Sequence, residues 1–146
     1  MNDHQTVELF VSTAGDDEWS GSIRTPSRSD GPLATLYGAR DQIRSLKSKS
    51  ARIRTSITIT VLDGVYELNN PVAFGPDESG AADAPVILRA ETAKGARLIG
   101  GSAIPASEEP LLRFADASHI RVEGFVLENG RGDGIRVSGG EGISLS

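Results

Sequence analysis

The chain has 146 residues, enough for one domain with its own core. With 38% apolar and 24% charged residues it is no disordered chain, and a net charge of −5 argues against a sequence-independent nucleic-acid binder, which needs a basic face to displace counterions. It has no cysteine, which excludes disulfides, thiolate metal sites and cysteine nucleophiles. No run approaches the roughly 18 apolar residues of a membrane span, so no membrane partner is expected.

Seventeen glycines and seven prolines imply many tight turns between short elements, which suits an all-β protein better than a helical bundle. The first predicted element is a strand over 7–12, rich in β-branched and aromatic residues. Residues 13–32 are dense in Gly, Asp, Ser and Pro and read as a loop. Within it, Asp16, Asp17 and Glu18 lack the spaced ligands of a calcium loop and read as an acidic surface turn. Trp19 follows that turn, and either stacks on a sugar ring or packs over the helix that comes next.

That helix is expected over 34–47. Leu33, Leu36, Tyr37, Ala39, Ile43 and Leu46 recur at close to helical period, and Thr35 is a candidate N-cap. Gly38 inside it costs about 1 kcal/mol relative to alanine, so the helix needs docking to be stable. The basic residues Arg40, Arg44, Lys47, Lys49, Arg52 and Arg54 read as a solvated face.

Residues 56–101 are strand-rich. Ile57, Ile59 and Val61 alternate with Thr58 and Thr60, the pattern of a half-buried strand. A turn at Asp63 and Gly64 leads to short strands over 65–68, 71–74, 86–90 and 97–99.

The remaining segment repeats itself at an offset of 23 residues: Leu112, Phe114, Ile120 and Val122 face Ile135, Val137, Ile143 and Leu145, and Arg113 faces Arg136. A looser echo sets Leu88, Arg89, Ala90 and Leu98 some 22 to 24 residues before Leu112, Arg113, Phe114 and Ile120. Short strands at this period, with Gly124, Gly130, Gly132, Gly134, Gly139, Gly140 and Gly142 at the corners, fit a solenoid whose circuits stack by parallel pairing. An antiparallel sandwich explains the strands but not the common offset.

The order of parts resembles the N-terminal region of right-handed β-helix repeat proteins of the pectate-lyase-like superfamily. The resemblance rests on Leu9-Phe10-Val11-Ser12 with Gly15-Asp16-Asp17, then Gly31-Pro32-Leu33-Ala34-Thr35-Leu36 opening a helix with Ala39-Arg40-Asp41. It continues through Val61-Leu62-Asp63-Gly64-Val65-Tyr66-Glu67-Leu68, Gly75-Pro76-Asp77-Glu78-Ser79-Gly80, Ala84-Pro85-Val86-Ile87-Leu88-Arg89-Ala90 and Gly100-Gly101. It implies an all-β fold, a right-handed parallel β-helix with an N-terminal capping α-helix: strand, loop and cap over 1–55, first coils over 56–146, in one continuous domain. It further implies a carbohydrate-active protein, glycoside hydrolase ahead of polysaccharide lyase, with a polysaccharide or glycan as partner and its active site on later coils. The alternative is a non-catalytic glycan-binding, adhesion or self-assembling module. Such proteins are mostly secreted, so a secreted or cell-surface location is expected for the full-length protein, although residues 1–5 lack a signal-peptide pattern.

No residue matches a catalytic motif of that superfamily, so catalytic residues are left unassigned. Acid–base cleavage of a glycosidic bond needs two carboxylates roughly 5–10 Å apart. The candidates in the repeated segment are Asp116, Glu123, Glu128 and Asp133, of which Glu123 and Glu128 fall at outward positions. Asp133 sits in the glycine-rich corner Asn129-Gly130-Arg131-Gly132-Asp133-Gly134, either touching a sugar or bonding its own backbone in a turn. The tripeptide Arg131-Gly132-Asp133 is short enough to arise by chance. Arg113 and Arg136, one above the other, are candidates for an anionic group such as a uronate, or are neutralised by neighbouring acids. The substrate-contact candidates are thus Asp133, Arg113, Arg136 and Trp19. His4 and His119 have no partner at metal-ligand spacing, and no metal or other cofactor is expected. The segment over 142–146 reads as an uncapped strand, from which end-to-end self-association through an open C-terminal coil is expected.

Overall fold

A computed structural model describes residues 4–49, 54–68, 72–78, 80, 84–100, 111–128, 135–139 and 142–145. Its elements, in order, are β1 (His4–Val11), α1 (Leu36–Lys49), β2 (Arg54–Val61), β3 (Gly64–Leu68), β4 (Val72–Phe74), a 3-10 turn (Pro76–Glu78), β5 (Val86–Ala90), β6 (Ala96–Gly100), β7 (Leu112–Ala115), β8 (Ile120–Glu123), β9 (Val126–Glu128), β10 (Ile135–Ser138) and β11 (Ser144–Leu145). The protein is mostly β, and α1 is the single α-helix among the described residues.

The strands form a five-stranded sheet ordered β1-β2-β5-β8-β11 and two three-stranded sheets ordered β3-β6-β9 and β10-β7-β4. All ladders between these strands are parallel. From β2 onward the chain deals its strands to the three sheets in rotation, so each strand pairs with the one three elements later. The links inside a circuit are short: only Leu62 and Asp63 separate β2 from β3, and Gly124 and Phe125 separate β8 from β9. Gly124 turns its corner at φ 80°, a conformation that a side chain disfavours.

The 23-residue repeat is the register of the last circuit. Ile135 pairs with Leu112, Arg136 with Arg113, Val137 with Phe114, and Leu145 with Val122. The looser echo, by contrast, is wrong. Leu88 pairs with Val122, Leu98 with Leu127, and Leu112 with Val72, so β5 and β7 belong to different sheets. The link between β6 and β7 is much longer than that between β3 and β4, so the earlier circuits keep no constant period.

Period-two alternation decides what is buried. Ile57, Ile59 and Val61 of β2, Val86 and Leu88 of β5, and Ile120 and Val122 of β8 are at most 3% exposed and stack like on like through the parallel register. In the sheet containing β4, Phe74 and Phe114 stack with ring centroids 5.1 Å apart and planes 16° from parallel. Each such buried side chain stabilises the fold by about 1.5–3 kcal/mol.

The helix starts at Leu36, two residues later than expected, and buries Leu36, Ala39 and Ile43 against β1, β2 and β4. Thr35 is the N-cap: its Oγ1 accepts from Gly38 N at 3.1 Å. Asp17 reinforces it from the loop, accepting from Ala34 N (2.8 Å), Thr35 N (3.0 Å) and Thr35 Oγ1 (2.6 Å). A carboxylate there also meets the positive end of the helix dipole. The basic stretch is not simply a solvated face. Arg44 Nε donates to Glu78 Oε2 at 2.8 Å, and the Glu78 side chain, 2% exposed, also accepts from Gly75 N at 2.8 Å, which pins the helix to the 3-10 turn. The side chains of Lys47, Lys49, Arg52 and Arg54 lie outside the described residues.

Candidate functional site

With the inward positions filled by aliphatic and aromatic side chains, the charged groups are found on the outer faces of the sheets and in the loops. The register of the β10-β7-β4 sheet sets residues 73, 113 and 136 in one row, with Ala73 and Arg113 on the outer face; the side chain of Arg136 lies outside the described residues. Arg113 is half-buried between the fully buried Leu112 and Phe114. Two of the four predicted contact residues are therefore neighbours on adjacent strands, about 4.8 Å apart along the stack. Asp133 and the Arg131-Gly132-Asp133 tripeptide precede β10 and lie outside the described residues.

Trp19 is held apart from that row, in the loop over 13–32. Its amide donates to Asp16 O at 2.9 Å, and its ring lies against Gly31, where an added Cβ would stand 2.6 Å from Cε3. The ring is packed on its own loop, and the glycine at residue 31 makes that approach sterically feasible. The acidic turn beside it serves the chain itself: Asp16 Oδ1 accepts from Glu18 N at 2.9 Å, and Asp17 caps α1. Further along the loop, Asp30 accepts from Ser20 N (2.8 Å), Ser20 Oγ (2.7 Å) and Gly31 N (2.9 Å). These donors, the Ser20 amide foremost, hold its carboxyl below the ordinary carboxylate value.

The outer face of the five-stranded sheet has a group of polar residues that the sequence reading did not assemble. Glu8 on β1, Thr58 and Thr60 on β2, Arg89 on β5 and Arg121 and Glu123 on β8 all fall at outward positions. Thr60 Oγ1 donates to Glu8 Oε2 at 2.8 Å, Arg89 Nε donates to Thr60 Oγ1 at 3.3 Å, and Arg89 Nη2 stands 3.6 Å from Glu8 Oε2. The signal was present in the alternation of each strand, but the partners are dozens of residues apart and only the register brings them together.

Of the candidate acids, Asp116 adopts a left-handed conformation (φ 57°) in the turn after β7, where its amide donates to Ser138 O at 2.8 Å. That is the turn role expected of a short polar side chain. Glu128 lies at the end of β9, and its side chain is outside the described residues. Glu8 and Glu123 are three strand spacings apart, about 14 Å, more than the span of a paired acid and base. Among the described residues no three His, Asp or Glu side chains gather as a metal site, and no helix is long and apolar enough to cross a membrane.

No family model matches the sequence, and no curated protein matches it. A solved structure titled "Glycoside hydrolase" is similar, with a TM-score of 0.50 and 30% sequence identity. The match covers 65% of this chain and 15% of that one, so the chain corresponds to a small part of the protein it resembles.

Proposed function

We propose that this chain forms the helix-capped beginning of a right-handed parallel β-helix in a carbohydrate-active protein that acts on polysaccharide glycosidic bonds. The similarity to a glycoside hydrolase is the observation that carries this reading, supported by the rotation of parallel strands through three sheets. α1 closes the first circuit, burying apolar edges that would otherwise face water. Hydrolysis is preferred to elimination; on the outer face of the five-stranded sheet Glu8 and Glu123 are too far apart to form its acid–base pair, which is left unassigned. Arg113 and Trp19 contact the substrate, Arg113 from the outer face of its sheet and Trp19 through the exposed part of its ring, and Arg136 and Asp133 are further contact residues. A secreted or cell-surface location follows from a polysaccharide substrate.

The test is product release from a panel of neutral and acidic polysaccharides by the full-length protein. New reducing ends without an unsaturated product indicate hydrolysis; an ultraviolet-absorbing unsaturated uronate indicates elimination. Binding without release from any member of the panel would replace catalysis by a glycan-binding or adhesion role. The absence of both binding and release would remove the carbohydrate reading altogether.

A further inference from the structure

We propose that the outer face of the five-stranded sheet is a second saccharide site, for a sugar unit bearing one carboxylate or sulfate, separate from the Arg113 row. The proposal rests on the carbohydrate reading above but concerns a different sheet. A depression of about 250 Å³ is lined there by Glu8, Thr58, Ile87, Arg89, Arg121 and Glu123. The parallel register sets Glu8, Thr58, Ile87 and Arg121 in one row across β1, β2, β5 and β8, with Thr60, Arg89 and Glu123 in the row beside it.

The two arginines differ in state. Arg89 is already engaged by Thr60 and Glu8, which orients it along the floor of the depression. Arg121 is exposed, and its cross-strand neighbours are Ile87 and Ser144, neither of which bears a charge. Among the described residues it makes no ion pair. Its guanidinium is therefore available for a bidentate contact with a planar carboxylate or a sulfate.

The rest of the lining limits what that anion belongs to. Glu8 and Glu123 balance the two arginines, so a bare phosphate or a polyanion meets as much repulsion as attraction. A sugar satisfies both halves: its anionic group faces Arg121 while its hydroxyls donate to the carboxylates of Glu8 and Glu123. Half-buried Ile87, opposite Arg121 on the adjacent strand, supplies an apolar patch for one face of the ring. From β1 to β8 the floor spans three strand spacings, about 14 Å, which is long enough for a disaccharide.

The experiment is a calorimetric titration of the protein with three disaccharides: one containing glucuronate, a sulfated one, and neutral cellobiose. The acidic probes are expected to bind, and Arg121→Ala is expected to weaken that binding about tenfold or more, with Arg121→Lys in between. The relative affinities of the glucuronate and sulfated probes identify which anion the site takes. Arg121 is exposed, so these variants fold. Acidic binding unaffected by Arg121→Ala, or matched by cellobiose, overturns the second site. So does the absence of acidic binding; if sugar release from a polysaccharide persists in that case, the second site falls while the carbohydrate reading stands.

Discussion

The carboxylate of Asp17 fills the space that a side chain at Gly38 would need. A Cβ at residue 38 would stand 2.6 Å from Asp17 Cγ, and that carboxylate is fastened by hydrogen bonds from Ala34, Thr35 and the Thr35 hydroxyl. A glycine inside a helix ordinarily costs about 1 kcal/mol relative to alanine. Here it is what allows the loop to cap the helix.

Gly38→Ala is accordingly expected to destabilise the protein by about 1 kcal/mol, against its usual sign. In an Asp17→Ala background, itself about 1–2 kcal/mol less stable through loss of the cap, the same substitution should stabilise. Denaturant unfolding of the four proteins measures the cycle. A stabilising Gly38→Ala in the presence of Asp17 would show that the carboxylate yields at little cost.

The Arg44–Glu78 pair joins a partly exposed arginine to a carboxylate that is 2% exposed. Arg44→Ala removes the cation that pairs with this carboxylate among the described residues and leaves the Gly75 amide, for a loss of about 2 kcal/mol, discounted from a fully buried pair because solvent reaches the guanidinium. Arg24, whose ion pair with Glu91 is 57% exposed on the arginine side, should cost much less on the same substitution. Thermal unfolding of the two variants side by side checks the order.

Tyr66 is buried beneath the loop, with its hydroxyl donating to Leu62 O at 2.8 Å and lying 3.2 Å from Val11 O. Burial pushes its phenol up to about 12, with the charges of Asp63 and Glu91 adding to the effect. A folded-state value above the unfolded one means a contribution that is complete below pH 10 and lost as the pH rises towards 12. Tyr66→Phe should lose about 1 kcal/mol at neutral pH and show a flatter decline of stability across that alkaline interval. A decline as steep as that of the parent would assign the alkaline loss to other groups.

Val137 occupies the same inward column as Phe114, yet it is 44% exposed where Phe114 is fully buried. Nothing among the described residues stacks on β10 beyond it. The 146-residue chain on its own is expected to self-associate through this apolar edge, and Val137→Lys to reduce the association several-fold. Sedimentation over a range of concentrations reads this directly, and a monomer throughout would show the edge to be inert.

Periodicity along the chain was enough to give the strands, the faces they bury, the Thr35 cap and the 23-residue offset. These are local properties: alternation of apolar residues selects a face, and two equal-length circuits bring like residues into register. Where link lengths differ, as between β6 and β7, that logic fails, which is why Leu88 stacks on Val122 and not on Leu112. Tertiary structure alone decided that Asp17 caps a helix nearly twenty residues away, that Arg44 pairs with Glu78, and that Glu8, Arg89 and Arg121 share one face. A charged side chain takes its partner from whatever the folded backbone brings within reach, and its own neighbours in sequence carry no record of that choice.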